Sequence, residues 1–534
     1  RFAAGEPRPA RLRRAVGVVL LFGLLAWMRW PADPAWKTLL RERGLPTSWE
    51  ALNAWYPPVP PEKNLAKLYV KAAADNLPRD AEHSVENPER MQRTLIVGEA
   101  TLERRKPVEE DVLANTREWY AKVGAPTAAA LHAAARSGLT EGRHDVNLSA
   151  GFSVLLPHLA RMRQLARVLA VESLLAAMDN RGGDAVTAAL DIVPMAHSLA
   201  EEPLLISQLV RAAILGIAVG ASETALNRAD LTDADLLRLQ EGLAAAVPPM
   251  DREPMFRRAL LAEYIMNLPA PEMMALSRIR AESVRLPRIP LDRLRGVPGP
   301  VGGDTLLYWQ SLGTGVGEGF SGMSEVGALV TCWSINSRMG LLEERSADGV
   351  LQDFIARLKR SRGNVPDGLS LPESDMLAAR ATIAYITLPA LARAFEAEWR
   401  IRTQIGLART AAAVERFRLA NGRLPERLEE LVPTFLDRVP VDPWNKSNPV
   451  TYKVRKAGDL VPTGPERQGR HVARQVREDG EFVVYSYGQN LKDDGGGEMD
   501  SWWHEGDMTS TVAPPEVRAE LRIPSPIVQK KMEE

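Results

Sequence analysis

Apolar residues recur at three- and four-residue steps through much of the chain. Leu155, Leu159, Met162, Ala166 and Leu169 set this spacing, which places them on one face of an α-helix. The pattern runs from about Val108 to Val247 and predicts successive helical hairpins. Asn180, Arg181, Gly182 and Gly183 end one helix and Asp184 starts the next, with the glycine stop and acidic start that helix termini favour. Pro203 suits a first helical turn and opens the run PLLISQLVRAAILGIAVGASETAL. That run is apolar almost all round, which predicts a buried central helix. Arg211 and Glu223 within it argue against a membrane span. Thr232 with Asp235 three residues on reads as a capping box. The paired acids Glu109-Glu110 and Glu201-Glu202 read as helix-start charges. The hairpins resemble a repeat scaffold, but no strict period assigns a named repeat.

The pattern breaks between Arg285 and Gly303, where prolines and glycines interrupt RLPRIPLDRLRGVPGPVGG and predict a loop. Gly317, Gly319 and Gly322 then match G-x-G-x-x-G in form. No β-branched strand precedes them, so a flexible loop is the better reading than a dinucleotide site. Helices resume from Met323 to about Leu358. A longer one runs from Asp375 to Ala420, with Pro389 expected to kink or interrupt it. Upstream, Thr47 or Ser48 caps a short helix. Pro57, Pro58, Pro60 and Pro61 force an extended stretch, and residues 64–74 read as helix again. Trp49, Trp55 and Tyr56 read as packing this linker onto its domain.

The N-terminus carries a targeting pattern. Arg8, Arg11, Arg13 and Arg14 precede AVGVVLLFGLLAWM, from Ala15 to Met28. Fourteen residues reach ~21 Å as a helix, short of a ~30 Å hydrocarbon core. Snorkelling arginines and interfacial Trp27 and Trp30 make up the difference. The run reads as an uncleaved signal-anchor. It also fits a signal-peptide h-region, although no small-x-small cleavage site follows. The basic flank places the N-terminus in the cytoplasm and the bulk of the chain in the periplasm or outside the cell, as a single-pass membrane protein.

From Ile401 the period changes. IRTQIGLARTAAAVERFRLANGRLP ends its helix at Asn421-Gly422, and Pro425 blocks continuation. Leu428, Leu431 and Phe435 can fold back on Val414 and Phe417. Asp442-Pro443 sets a turn in VPVDPW, with Trp444 in the core. TYKV from Thr451 and FVVY from Phe482 alternate like strands. Then Asp493, Asp494, Glu498, Asp500, Glu505 and Asp507 fall within fifteen residues, with no Lys or Arg among them. Like charges this close repel unless they are screened or bound. The loop is therefore either solvated or held by a cation. The spacing is not that of an EF-hand.

The motifs ERFRLANGRLP, LVPTFLDRVPVDPW and FVVYSYGQNLKDDGGGEMD together resemble the globular domain of the major pseudopilin of type II secretion, over residues 401–507. That resemblance implies a long helix on a small antiparallel sheet, with a last loop that binds calcium. It places the family's calcium aspartate at Asn490 and its second carboxylate near Glu498 or Asp500. Asp493 and Asp494 would supply the charge missing at Asn490, and the Tyr487 carbonyl would match a backbone ligand. The calcium would be structural. Two departures stand out. The apolar anchor lies at residues 15–28 rather than at the head of this helix, with no prepilin-peptidase site, and Val461–Glu478 is an insertion. The whole chain looks like membrane-anchored proteins of unknown role in planctomycete- and verrucomicrobium-type bacteria.

The expected architecture is thus mainly α. It comprises an anchor (1–30), a Pro/Trp-rich linker with short helices (31–107), a helical-hairpin domain (108–400, with loop 285–322), a pseudopilin-like α+β domain (401–512) and a tail (513–534). A net charge of −1 gives no field to attract nucleic acid. The single cysteine, Cys332, allows no internal disulfide and reads as core. There is no Gly-Lys dipeptide for a Walker A loop, no G-x-S-x-G and no S-x-x-K, and the histidines show no zinc spacing. The expectation is a non-enzymatic, membrane-anchored scaffold or interaction protein. Its partners would be envelope or secretion-system components. The alternative is an extracytoplasmic hydrolase with its site in a helical groove.

Overall fold

A computed structural model gives the fold and describes residues 41, 44, 46–77, 95, 106–247, 259, 382–442, 444, 448–463, 473–488, 491–497 and 507–526. The expected anchor, the loop at 285–322, the glycine motif at Gly317 and Cys332 lie outside the described residues. The chain divides into two compact units: Arg1–Trp55 with Leu268–Ala384, and Tyr56–Asn267 with Tyr385–Glu534. In the first, Trp49–Trp55 forms α1, capped by Ser48 Oγ, which accepts the Ala51 N–H at 3.1 Å.

The second unit is mostly helical, with a small antiparallel sheet in its C-terminal part. Leu65–Asn76 is α2, with Asn64 as its N-cap accepting from the Ala66 N–H. Glu110–Trp119 is α3, and Glu110 and Asp111 occupy its first turn. A π turn, Tyr120–Gly124, leads into α4, Ala125–Ala135. Pro157–Met178 is α5. It begins after Leu155, which is 81% exposed. Pro157 at the first helical position sets this start, so Leu155 does not join the buried face its spacing suggested.

Gly182–Leu190 is α6 and Ile192–His197 is α7. Asn180 takes a left-handed φ of 56° before α6, which starts two residues ahead of the expected Asp184. Leu205–Arg228 is α8 and Asp233–Ala245 is α9. The capping box of α9 forms as read: Thr232 Oγ1 accepts from the Asp235 N–H, and the Asp235 carboxylate accepts from the Thr232 N–H. By length and composition α8 could cross a membrane. Here it is a core helix, buried against its neighbours on most of its length.

Thr382–Asn421 is α10. Pro389 does not interrupt it. A proline removes its own N–H from the ladder, and the helix continues on both sides. The Asn421-Gly422 stop is as expected: Gly422 has φ +68°, and its N–H returns to the Arg418 carbonyl at 2.9 Å. Leu428 and Leu431 fold back beneath Val414, and Phe435 meets Phe417 edge-on at 5.8 Å.

The strands are β1 Thr451–Arg455, β2 Leu460–Pro462, β3 Ala473–Gln475, β4 Glu481–Ser486 and β5 Met508–Val512. β1, β4 and β5 form one antiparallel sheet with β4 central, pairing Tyr452 with Val484 and Phe482 with Val512. β2 and β3 make a separate hairpin within the Val461–Glu478 region. Pro515–Leu521 is α11. Apolar residues of the hairpins, of α10 and of the sheet belong to one continuous core.

Two polar residues at the end of α8 fasten this core to the C-terminus. Asn227 donates to the Thr511 carbonyl at 3.0 Å and accepts from the Ala513 N–H at 2.9 Å. Arg228, 1% exposed, donates to the carbonyls of Leu521 at 2.6 Å and Lys106 at 2.8 Å.

Candidate functional site

All six residues of β4 are buried. A strand alternates its side chains between two faces, so β4 needs cover on both. Phe482 and Val484 face the helical core. Val483 and Tyr485 lie under the acidic loop: a Cβ at Gly496 would sit 3.2 Å from each. Gly495 and Gly496 take φ +77° and +71°, conformations that glycine adopts without strain. The loop's glycines thus let its backbone close over the sheet.

Polar contacts hold that closure. Arg455 Nη2 donates to the Gly496 carbonyl at 2.5 Å, while its Nη1 pairs with Glu481 at 2.8 Å. Glu481 also pairs with Arg474 at 2.6 Å. On the other side, the Gly496 N–H donates to Asp507 Oδ2 at 2.7 Å. Asp507 is 6% exposed, and its Oδ1 has no hydrogen-bond partner. Burial pushes its pKa up to about 7, opposed by the backbone N–H groups of Gly496 and Asp494 and reinforced by the charges of Asp494 and Asp493. Asp493 Oδ1 accepts from the Tyr485 hydroxyl at 3.1 Å and the Gly495 N–H at 2.8 Å. Burial, with Asp493 alongside, raises the Tyr485 pKa.

Of the six expected calcium ligands, Tyr487, Asp493 and Asp494 are described, and Asn490, Glu498 and Asp500 lie outside the described residues. Among the described residues, no group of three or more His, Cys, Asp or Glu side chains is arranged to hold a metal ion. The orphaned oxygen of Asp507 is nevertheless what a hard cation would take. Sequence reading counted Asp507 among the carboxylates but gave it no role as a ligand. Tyr487 is held by its backbone, its N–H donating to Asp442 Oδ2 at 3.2 Å. Asp442 does more than set the VPVDPW turn. It accepts from the Trp444 N–H at 2.9 Å and the Ser486 hydroxyl at 2.8 Å, tying that turn to the end of β4.

A second cluster lies in the helical part. Glu202 was expected as a helix-start charge, but it is 0% exposed. A buried carboxylate needs donors. His158 Nε2 stands 3.1 Å from both its oxygens, and the Ser207 hydroxyl donates to it. His144 stacks on His158 with ring centroids 4.4 Å apart. Burial, helped by His158, pulls the His144 pKa down to about 4. Gly142 packs so closely that an added Cβ would meet the Ser198 backbone at 2.5 Å.

His132 makes a third cluster, bridging Asp191 at 2.7 Å and Glu172 at 2.8 Å. These two carboxylates raise its pKa to about 9. The spacing of the histidines along the chain gave no sign of either pairing, because each joins residues dozens of positions apart.

No protein-family model matches the chain, and no curated protein and no solved structure matches it.

Proposed function

We propose that the chain is a membrane-anchored, extracytoplasmic interaction protein whose C-terminal part is a pseudopilin-like domain closed by a structural calcium ion. The observation that carries this reading is Asp507, a buried carboxylate with an unpartnered oxygen beneath a glycine-rich acidic loop. The order of long helix, Asp442 turn, antiparallel strands and acidic loop supports the resemblance to the pseudopilin family. Asp493, Asp494 and Asp507, with Asn490, Glu498, Asp500 and the Tyr487 carbonyl, would hold the ion. Its charge would offset their repulsion and pin the loop over Val483 and Tyr485. Partners would be envelope or secretion-system proteins bound on the outer surface.

Thermal unfolding of the full chain in calcium, magnesium or EDTA tests the reading. Calcium at a hundredfold excess over its dissociation constant adds about 2.7 kcal/mol to a folded state that alone binds it, and magnesium does not substitute. Equal midpoints in all three conditions would refute the calcium site. Retention of the chain in membranes after alkaline carbonate washing tests the anchor separately, and release would refute it.

The hydrolase reading has one observation on its side: the His158–Glu202 pair borders a cleft. Among the described residues no serine or cysteine lines that cleft, and Ser207 sits behind the carboxylate rather than in front of the imidazole. The arrangement lacks the nucleophile–base order of a covalent hydrolase.

A further inference from the structure

Residues 138–147, between α4 and α5, form no helix or strand. They are nonetheless held to the segment that leads into α2. The Glu141 carbonyl accepts from the Leu65 N–H at 2.9 Å. Asn64 donates to the Arg143 carbonyl at 2.8 Å and accepts from the Arg143 N–H at 2.9 Å. The Arg143 guanidinium lies 4.0 Å over the Tyr56 ring and donates to the carbonyls of Tyr56 and Pro57. His144 plugs this strap into the helices. It is 2% exposed, its N–H donates to the Tyr56 hydroxyl at 3.0 Å, and its ring stacks on His158.

Hydrogen bonds set the protonation of that ring. The Ser198 hydroxyl donates to the Met195 carbonyl at 2.7 Å. Its oxygen is then the acceptor for a proton on His144 Nε2, 3.3 Å away. This leaves Nδ1 as a bare lone pair, buried and with no partner among the described residues. A second proton has to enter at Nδ1, where it makes a buried charge whose new donor meets no acceptor. Around the ring stand His158 on α5, Glu202 ahead of α8, and Tyr56, with Glu141, Arg143 and Asp145 as charged neighbours on the strap. His197, beside Ser198 in sequence, points instead to the Ala246 carbonyl at 3.1 Å. Glu202 favours charge on His144, but its oxygens are already engaged by His158 and Ser207. Burial and His158 outweigh it and hold the ring neutral down to about pH 4. We propose that residues 138–147 are an acid-released latch: protonation of His144 expels its ring, frees residues 56–64 and uncovers the His158–Glu202 pair.

Amide hydrogen exchange of the full chain at pH 8 and pH 5, expressed as protection factors, tests this at Leu65, Arg143 and His144. The stability contributed by a base of lowered pKa is present above its ordinary 6.5 and is lost as pH falls towards 4. Protection at these three amides should therefore fall about thirtyfold from pH 8 to pH 5. Protection at Leu169, buried in α5, should hold. In His144→Phe, which keeps an aromatic ring against His158 and takes no proton, the three amides should be protected equally at both pH values. The imidazole NMR signals of His144 in the unaltered chain, a readout that needs no variant, should still be those of the neutral ring at pH 5.5. A ring that titrates near pH 6.5, no fall in protection, the same fall in His144→Phe, or a loss shared by Leu169 would each overturn the latch.

Discussion

The Gly496 N–H donates to Asp507 Oδ2 at 2.7 Å, and the other oxygen of the same carboxylate has no partner. One glycine backbone is thereby held from both sides, by Asp507 at its N–H and by Arg455 at its carbonyl. This clamp places the acidic loop over Val483 and Tyr485 and completes the burial of β4. Its weak point is the Asp507 charge.

Asp507→Asn should stabilise the calcium-free protein and abolish its response to calcium. The folded-state pKa, about 7, lies above the ordinary value of 3.8 for an aspartate. The stability linked to the proton is therefore present below about pH 4 and lost as pH rises through 7. At pH 8 the ionised carboxylate is buried and half satisfied, which costs about 1–3 kcal/mol. Denaturant unfolding in EDTA should show the variant gaining at pH 8 and gaining little at pH 4. A loss of stability at pH 8 would contradict the clamp as described.

His132 gives a pH dependence in a different window. Its folded pKa is raised to about 9 by Asp191 and Glu172, from 6.5. The stability it contributes is fully present below about pH 6.5 and is lost as pH rises through 9. The full shift corresponds to roughly 3 kcal/mol, of which roughly 2–3 kcal/mol is lost between pH 7 and pH 9.5. Unfolding midpoints at pH 7 and pH 9.5 should differ accordingly, and His132→Gln should remove most of that difference. Arg136 also approaches Asp191, at 3.9 Å.

Asn227→Ala should destabilise the second unit by about 2–4 kcal/mol, because it removes two buried hydrogen bonds, to the Thr511 carbonyl and from the Ala513 N–H. The loss should appear as a lower denaturant midpoint for the sheet and the helices together, since both share one core. Separate transitions would contradict that shared core.

Gly142→Ala drives a methyl group to 2.5 Å from the Ser198 backbone. The backbone has to shift, at a cost of about 1–3 kcal/mol. The His144–Ser198 contact, 3.3 Å, should lengthen with it, which the His144 ring resonances would report.

Local signals carried the sequence reading where chemistry acts between near neighbours. The Thr232–Asp235 capping box, the Asn421-Gly422 stop and the Asp442 turn each span a few residues, and each is found in the structure. The decisive pairings are non-local. Glu202 read as a helix-start charge because nothing near it in sequence says that His158, 44 positions away, will pair with it in the core. Asn227 meets Ala513 across 286 positions, a partnership no spacing rule encodes. Asp507 was legible as one of six acids, but its burial follows from strand pairing in β5. Leu155 failed for a local reason, the proline two residues later that fixes where α5 begins.

The central claim is that calcium pins the acidic loop over β4, and amide hydrogen exchange on the full chain tests it most directly. The full chain is needed because Asn227 and α8 support β5. Calcium should slow exchange at Val483, Tyr485 and Gly496 relative to EDTA, with magnesium ineffective and with local opening of α5 unchanged. Identical exchange at these amides with and without calcium would contradict the account and leave the acidic run a solvated loop.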